Sequence, residues 1–151
     1  MRKIISTLTL AILTLLIITA CSNKDVIKHN YTYKGENEFW TAEYKVDGEE
    51  TFTKSDGKTK YDSNYNETFT VTYKKDKSKL DSLKHIEISY KSSVSEGQIN
   101  HDYDDNSTED KGTYTMKSKS TGGAVEKEDE VIEVTINLDG KIETIKLKNE
   151  W

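Results

Sequence analysis

From Tyr31 onward, apolar positions along the chain recur every second residue. Trp40, Ala42, Tyr44 and Val46 alternate with Thr41, Glu43 and Lys45, and Phe69, Val71 and Tyr73 alternate with polar neighbours. Ile86, Ile88 and Tyr90 alternate with His85, Glu87, Ser89 and Lys91, and Tyr114 and Met116 repeat the pattern more weakly. Successive side chains of a strand point to opposite faces, so this period predicts antiparallel strands with one buried and one wetted face. The carboxy-terminal part is the most explicit. Ile132, Val134, Ile136 and Leu138 alternate up to Asp139-Gly140, a favoured pair for a two-residue hairpin turn. Such a turn sets Leu138 opposite Lys141, Val134 opposite Ile145 and Ile132 opposite Leu147. It also sets Glu143 opposite Ile136, which predicts a position near an exposed end of the sheet.

Asp47-Gly48 and Asp56-Gly57 signal two earlier turns. A bulged loop at the first would bring Ala42 across from Phe52. Ser78-Lys79-Leu80-Asp81-Ser82-Leu83 reads as a single helical turn, with Ser78 as cap, Asp81 in the reciprocal position, and Leu80 and Leu83 turned inward. That turn is expected to carry the chain from one sheet to another. Asp104 to Gly112 and Lys117 to about Glu130 lack apolar periodicity and read as loops. About eight short strands with turn signals predict an all-β domain, a single antiparallel β-sandwich of immunoglobulin-like architecture. A small β-barrel is the alternative.

The first twenty residues are of a different kind. Arg2 and Lys3 precede an apolar run from Ile4 to Ile18, and no further charge appears until Lys24. A positive head, an apolar middle and small residues before a cut site read as a secretory signal peptide over residues 1–20. The run ends in Ile18-Thr19-Ala20-Cys21, which resembles the lipobox of bacterial lipoproteins, with Ile18 where Leu is usual. The resemblance implies cleavage before Cys21 and lipid attachment to its thiol. The alternative is an uncut membrane-spanning helix, for which twenty residues just suffice; the five hydroxyl residues between Ile4 and Ala20 and the cysteine at the cut position speak against it. Residues 21–30 then read as a polar tether able to lift the domain, residues 31–151, by roughly 30 Å.

Charge and cysteine content narrow the partners. Cys21 is the only cysteine, so an exported domain would have no disulfide and must be held by burial and hydrogen bonds. Loss of residues 1–20 removes Arg2 and Lys3 from 22 basic residues and none of the 27 acidic ones, leaving a net charge of −7. That acidity excludes nucleic acid as an expected partner and disfavours a chain lying flat on anionic lipid.

The acidic stretch from His101 to Asp110 places oxygen-bearing side chains at Asp102, Asp104 and Asn106, as calcium loops do. Ser107 stands where the EF-hand has glycine, and Thr113 where it has glutamate, so a solvated loop is the expected reading and no metal site is assigned. His29, His85 and His101 fit no zinc spacing. There is no nucleophile elbow and no glycine-rich phosphate loop, and no catalytic or cofactor-binding residues are assigned. Tyr31, Tyr33, Phe39 and Trp40 form an aromatic cluster that would stack a sugar or peptide if exposed; Trp40 is expected in the core, and Phe39 faces the other way.

Three segments, Tyr33–Tyr44, Ile86–Ser93 and Val131–Leu147, resemble small lipoproteins of Bacillus-type Gram-positive bacteria. The resemblance implies an address and carries no activity with it. The expectation is therefore a non-enzymatic lipoprotein on the outer face of the cell membrane, held by lipid on Cys21. Its domain would bind a protein, a peptide or a cell-wall component. A small-ligand or calcium-binding module is the alternative.

Overall fold

The period-two segments become eight strands: β1 (Asn23–Glu36), β2 (Trp40–Ser55), β3 (Lys58–Tyr73), β4 (His85–Lys91), β5 (Glu96–Asp102), β6 (Thr113–Thr121), β7 (Val131–Leu138) and β8 (Lys141–Asn149). The computed structural model describes residues 23–104 and 110–150. All strands belong to one sheet, in the order β5-β4-β7-β8-β1-β2-β3-β6, and every pairing is antiparallel. The sheet rolls until its edges meet. Gly97 of β5 lies against Met116 of β6, so closely that a Cβ on Gly97 would come within 2.2 Å of Met116 Cε. The ring of His101 stands 5.8 Å from that of Tyr114. Among the described residues no backbone ladder joins β5 to β6, and side chains close the seam. The fold is all-β and nearly closed into a barrel, the second of the two expected architectures.

The inward positions of the roll are the apolar members of each alternation. Trp40, Tyr44, Val46, Phe69, Val71, Ile86, Ile88, Ile132, Val134, Ile136 and Leu147 are all buried. Opposite walls meet through aromatic rings: Tyr90 on β4 lies 4.8 Å from Tyr44 and 4.9 Å from Phe69, centroid to centroid. These walls face each other as the layers of a sandwich do. With few aliphatic residues available, large rings span the space that leucines would otherwise fill.

The carboxy-terminal hairpin has the predicted register, including Leu138 opposite Lys141, Val134 opposite Ile145, and Ile132 opposite Leu147. Asp139 (φ 50°) and Gly140 (φ 93°) both take positive φ, as a two-residue turn matched to strand twist demands. Asp56 (φ 51°) and Gly57 (φ 72°) do the same between β2 and β3. Glu143, opposite Ile136, closes one end of the roll, where it accepts from Asn37 Nδ2 at 3.0 Å and Lys141 Nζ at 2.9 Å.

Four expectations are corrected. Asp47-Gly48 is no turn: both residues continue β2, and Ala42 pairs with Gly35 and Val71 rather than with Phe52. Glycine is needed at position 48 for close approach, since a Cβ there would fall 2.2 Å from the Asn64 carbonyl oxygen. The stretch read as a tether is strand: residues 23–30 pair with 54–47 of β2. Lys117 to Thr121, read as loop, belongs to β6 and pairs with β3. The turn Lys77–Leu80 is a 3-10 helix capped by Asp76, whose carboxylate accepts from Ser78 N at 3.0 Å, rather than by Ser78. Leu80 and Leu83 are buried as expected, and the segment crosses from β3 to β4, which lie in opposite walls.

Strands β1, β2 and β3 outrun the barrel. β8 pairs with β1 at Tyr33 and Lys34, and β6 pairs with β3 from Asn64 to Thr72. Beyond those points the three long strands form backbone ladders only with one another among the described residues. They form a ribbon that ends at Asn23 and at the Asp56-Gly57 turn. From Tyr31 to Asn23 it runs about 27 Å at ~3.3–3.4 Å per residue.

Candidate functional site

The ribbon carries the features that distinguish this chain from a plain rolled sheet. On the face continuing the barrel interior, β1 contributes Ile27, His29 and Tyr31, β2 contributes Glu50 and Phe52, and β3 contributes Tyr61 and Tyr65. Ile27 is 47% exposed and Tyr61 37% exposed, while Val26 on the outer face is 43% exposed. The Phe52 and Tyr61 rings lie 5.2 Å apart, and His29 packs 5.5 Å from Tyr31 and 6.1 Å from Tyr65.

Polar contacts tie this face together. His29 Nε2 lies 3.1 Å from Glu50 Oε2, and His29 Nδ1 lies 3.0 Å from Tyr31 Oη. In the neutral ring, Nε2–H donates to the carboxylate and Nδ1 accepts the Tyr31 proton, which satisfies every partner. Tyr61 Oη lies 2.9 Å from Glu50 Oε1 and 2.8 Å from the Gly123 carbonyl, so one proton serves two acceptors. Burial pushes the Glu50 carboxyl up, but the hydrogen bonds from His29 and Tyr61 outweigh it and hold the group below its ordinary range. Burial first, then the nearby Glu128 and Glu50 charges, push the Tyr31 phenol up. Both histidine nitrogens are engaged and the phenol is held in its neutral form. The cluster braces β1 against β2.

A second polar group lies where the ribbon enters the barrel. The segment between β6 and β7 folds over this end and inserts Glu126, which is 2% exposed. Its Oε1 accepts from Tyr44 Oη at 3.0 Å and from Ser92 Oγ at 2.9 Å. Glu67, also buried, accepts from Ser118 Oγ at 2.6 Å, and Tyr33 Oη donates to the Lys127 carbonyl at 2.9 Å. Burial raises the pKa of Glu126, and the charge of Glu67 adds to the rise. These groups plug the barrel end.

The backbone supplies the remaining element. Thr32 exchanges bonds on the β8 side: its N–H donates to Asn149 Oδ1 at 3.2 Å, and its carbonyl accepts from Glu150 N at 3.0 Å. In an antiparallel strand, residues alternate in the side to which both backbone groups point. With no slip in the β1–β2 register, Asn30, Lys28, Val26 and Lys24 therefore aim N–H and C=O away from β2. Among the described residues no strand pairs with that edge.

The predicted site residues are dispersed. Cys21 and residues 1–20, read as a signal peptide, lie outside the described residues. Trp40 and Tyr33 are in the core, Tyr31 is in the ribbon cluster, and Phe39 sits at the opposite barrel end, with Lys141 Nζ 5.2 Å from its ring centre. They form no common platform. Asp102 pairs with His85 Nδ1 at 2.6 Å across β5 and β4, and Asn106 and Ser107 are outside the described residues. Among the described residues no group of three potential ligands could hold a metal ion. Sequence reasoning missed Ile27, His29, Glu50, Phe52, Tyr61 and Tyr65. One signal was available: Ile27, His29, Tyr31 and Tyr33 continue the odd-numbered alternation back into the supposed tether. No family profile, curated protein or solved structure matches the chain.

Proposed function

We propose that the protein is a non-catalytic binding module, anchored to the outer face of the cell membrane by lipid on Cys21, that takes up an extended segment of a partner protein along the free edge of β1. The observation that carries this reading is the row of outward backbone groups at Lys24, Val26, Lys28 and Asn30, flanked by exposed Val26 and Ile27. Strand addition draws affinity from main-chain hydrogen bonds and specificity from alternate side chains. Ile27, Phe52 and Tyr61 supply an apolar and aromatic surface beside that edge, and the His29–Glu50 tie keeps the ribbon rigid, so that less ordering entropy is lost on binding.

Lys28→Pro provides the test. It removes one outward N–H and leaves the β1–β2 ladder intact, as proline at a sheet edge does. A photoactivatable residue at position 27 should give a protein adduct of defined mass in intact cells, and Lys28→Pro should abolish it while melting stays cooperative. No adduct, an adduct indifferent to Lys28→Pro, or the same adduct from Ile142 at the far barrel end would overturn the reading.

A further inference from the structure

The ribbon tip differs in charge from the rest of the molecule. Its last three ladder levels and the turn comprise Asn23, Lys24, Thr53, Lys54, Ser55, Asp56, Gly57, Lys58, Thr59 and Lys60. Four lysines there face one aspartate, on a mature chain whose net charge is −7. All four lysines are exposed. Lys24, Lys58 and Lys60 lie on the outer face and Lys54 on the inner one, so the positive charge encircles the tip. Asp25, one level inward, holds Lys54 at 3.6 Å.

Connectivity fixes where this tip would stand. Cys21 precedes Asn23 by two residues, a reach of at most about 7 Å. An acyl chain on that cysteine leaves no room for a flexible spacer, because the stretch expected to be one is paired strand. We propose that the ribbon is a rigid stalk whose lysine-bearing tip seats on the anionic headgroups of the membrane beside the anchor, holding the barrel about 27 Å above the lipid. The inference rests on the lipid-anchor reading of Cys21. Headgroup phosphates match the charge of the tip, and the acidic remainder of the chain is repelled from the same surface. Attraction at one end and repulsion over the rest set the stalk upright.

The test uses the full lipidated chain in vesicles of phosphatidylglycerol and phosphatidylcholine containing headgroup-labelled quencher lipid. A fluorophore is placed on Ser55→Cys at the tip or on Ile142→Cys at the far barrel end. Flotation with the vesicles reports the anchor, and quenching reports the tip. The expected result is flotation of both labelled proteins, with the Ser55 probe quenched at least threefold more than the Ile142 probe. Replacing Lys54, Lys58 and Lys60 by Glu should at least halve that difference and leave flotation unchanged. Flotation with equal quenching of the two probes would overturn the seated stalk and leave the anchor standing, as would a difference that the three replacements leave unaltered. Failure to float would overturn the anchor and the stalk together.

Discussion

Tyr44 Oη donates to Glu126 Oε1 at 3.0 Å across the inner wall of the barrel, and both side chains are buried. The carboxyl therefore sits where its charged form is disfavoured, and its folded pKa lies above the reference value of 4.5. An acid with a raised folded pKa gives stability that is fully present below the unfolded value and is lost as pH rises through the folded one. Glu126→Gln keeps an acceptor for Tyr44 and Ser92 and has no charge to bury. It should match the parent in stability near pH 4 and exceed it increasingly toward pH 8, as measured by urea midpoints across that range. Glu126→Leu removes the carboxyl acceptor of the Tyr44 hydroxyl and leaves Ser92 Oγ only the Ser95 carbonyl, and should cost ~1–3 kcal/mol at any pH in that range.

Glu50 has the opposite sign. Its carboxylate is held below the reference value of 4.5, so its stabilising effect is present above that value and is lost as pH falls through the folded pKa. Glu50→Gln should loosen the ribbon by about 1 kcal/mol at pH 7, the scale of a partly exposed charged hydrogen bond. Amide exchange of residues 24–30 and 47–52 is the readout. Below the folded pKa of Glu50 the variant and the parent should exchange alike.

Gly48 lies mid-strand, with the Asn64 carbonyl oxygen 2.2 Å from where a Cβ would stand and the Tyr65 Cα at 2.7 Å. Backbone cannot yield as a side-chain tip does. Gly48→Ala should cost ~1–3 kcal/mol in denaturant unfolding. Gly57→Ala, where nothing stands within 4 Å, should cost only the positive-φ penalty of ~1–2 kcal/mol. A Gly48→Ala protein as stable as the parent would contradict the strand placement of Asp47-Gly48.

Cys21→Ala should abolish incorporation of a fatty-acid probe and leave unprocessed precursor or released protein. Mass spectrometry of the membrane and medium fractions separates these fates. The cooperative melting of the domain should be unchanged, because no disulfide depends on that thiol.

What was legible in the sequence follows from how local each signal is. The β7–β8 hairpin was readable in full because its turn chemistry, its alternation and its pairing partners all lie within Val131–Asn149. Trp40 was placed in the core by its phase with Ala42 and Tyr44. The ribbon was legible only in the odd-numbered alternation of Ile27, His29, Tyr31 and Tyr33. Residues 23–28 are exposed in both phases, so no buried face marks them as strand; their order comes from partners 21 to 31 residues away on β2. Asp47-Gly48 carries the letters of a turn, yet glycine there answers to the closeness of Asn64, a cause invisible in local sequence. The Glu126 site lay in a segment read as loop, and its burial depends on the barrel end it closes. The rolled sheet stood as the alternative architecture and not the first, since alternation records which face is buried and not how far a sheet curls.

The junction of Gly97 with Met116, reinforced by the Tyr103 hydroxyl donating to that of Tyr114 at 3.0 Å, fastens the molecule much as a clasp fastens a cuff. Unfastening it would sacrifice methyl, ring and hydroxyl contacts and leave each rung of the ladders in place. Among the described residues, closure at this joint thus rests on side chains, whereas every neighbouring pair of strands in the sheet order rests on main-chain ladders.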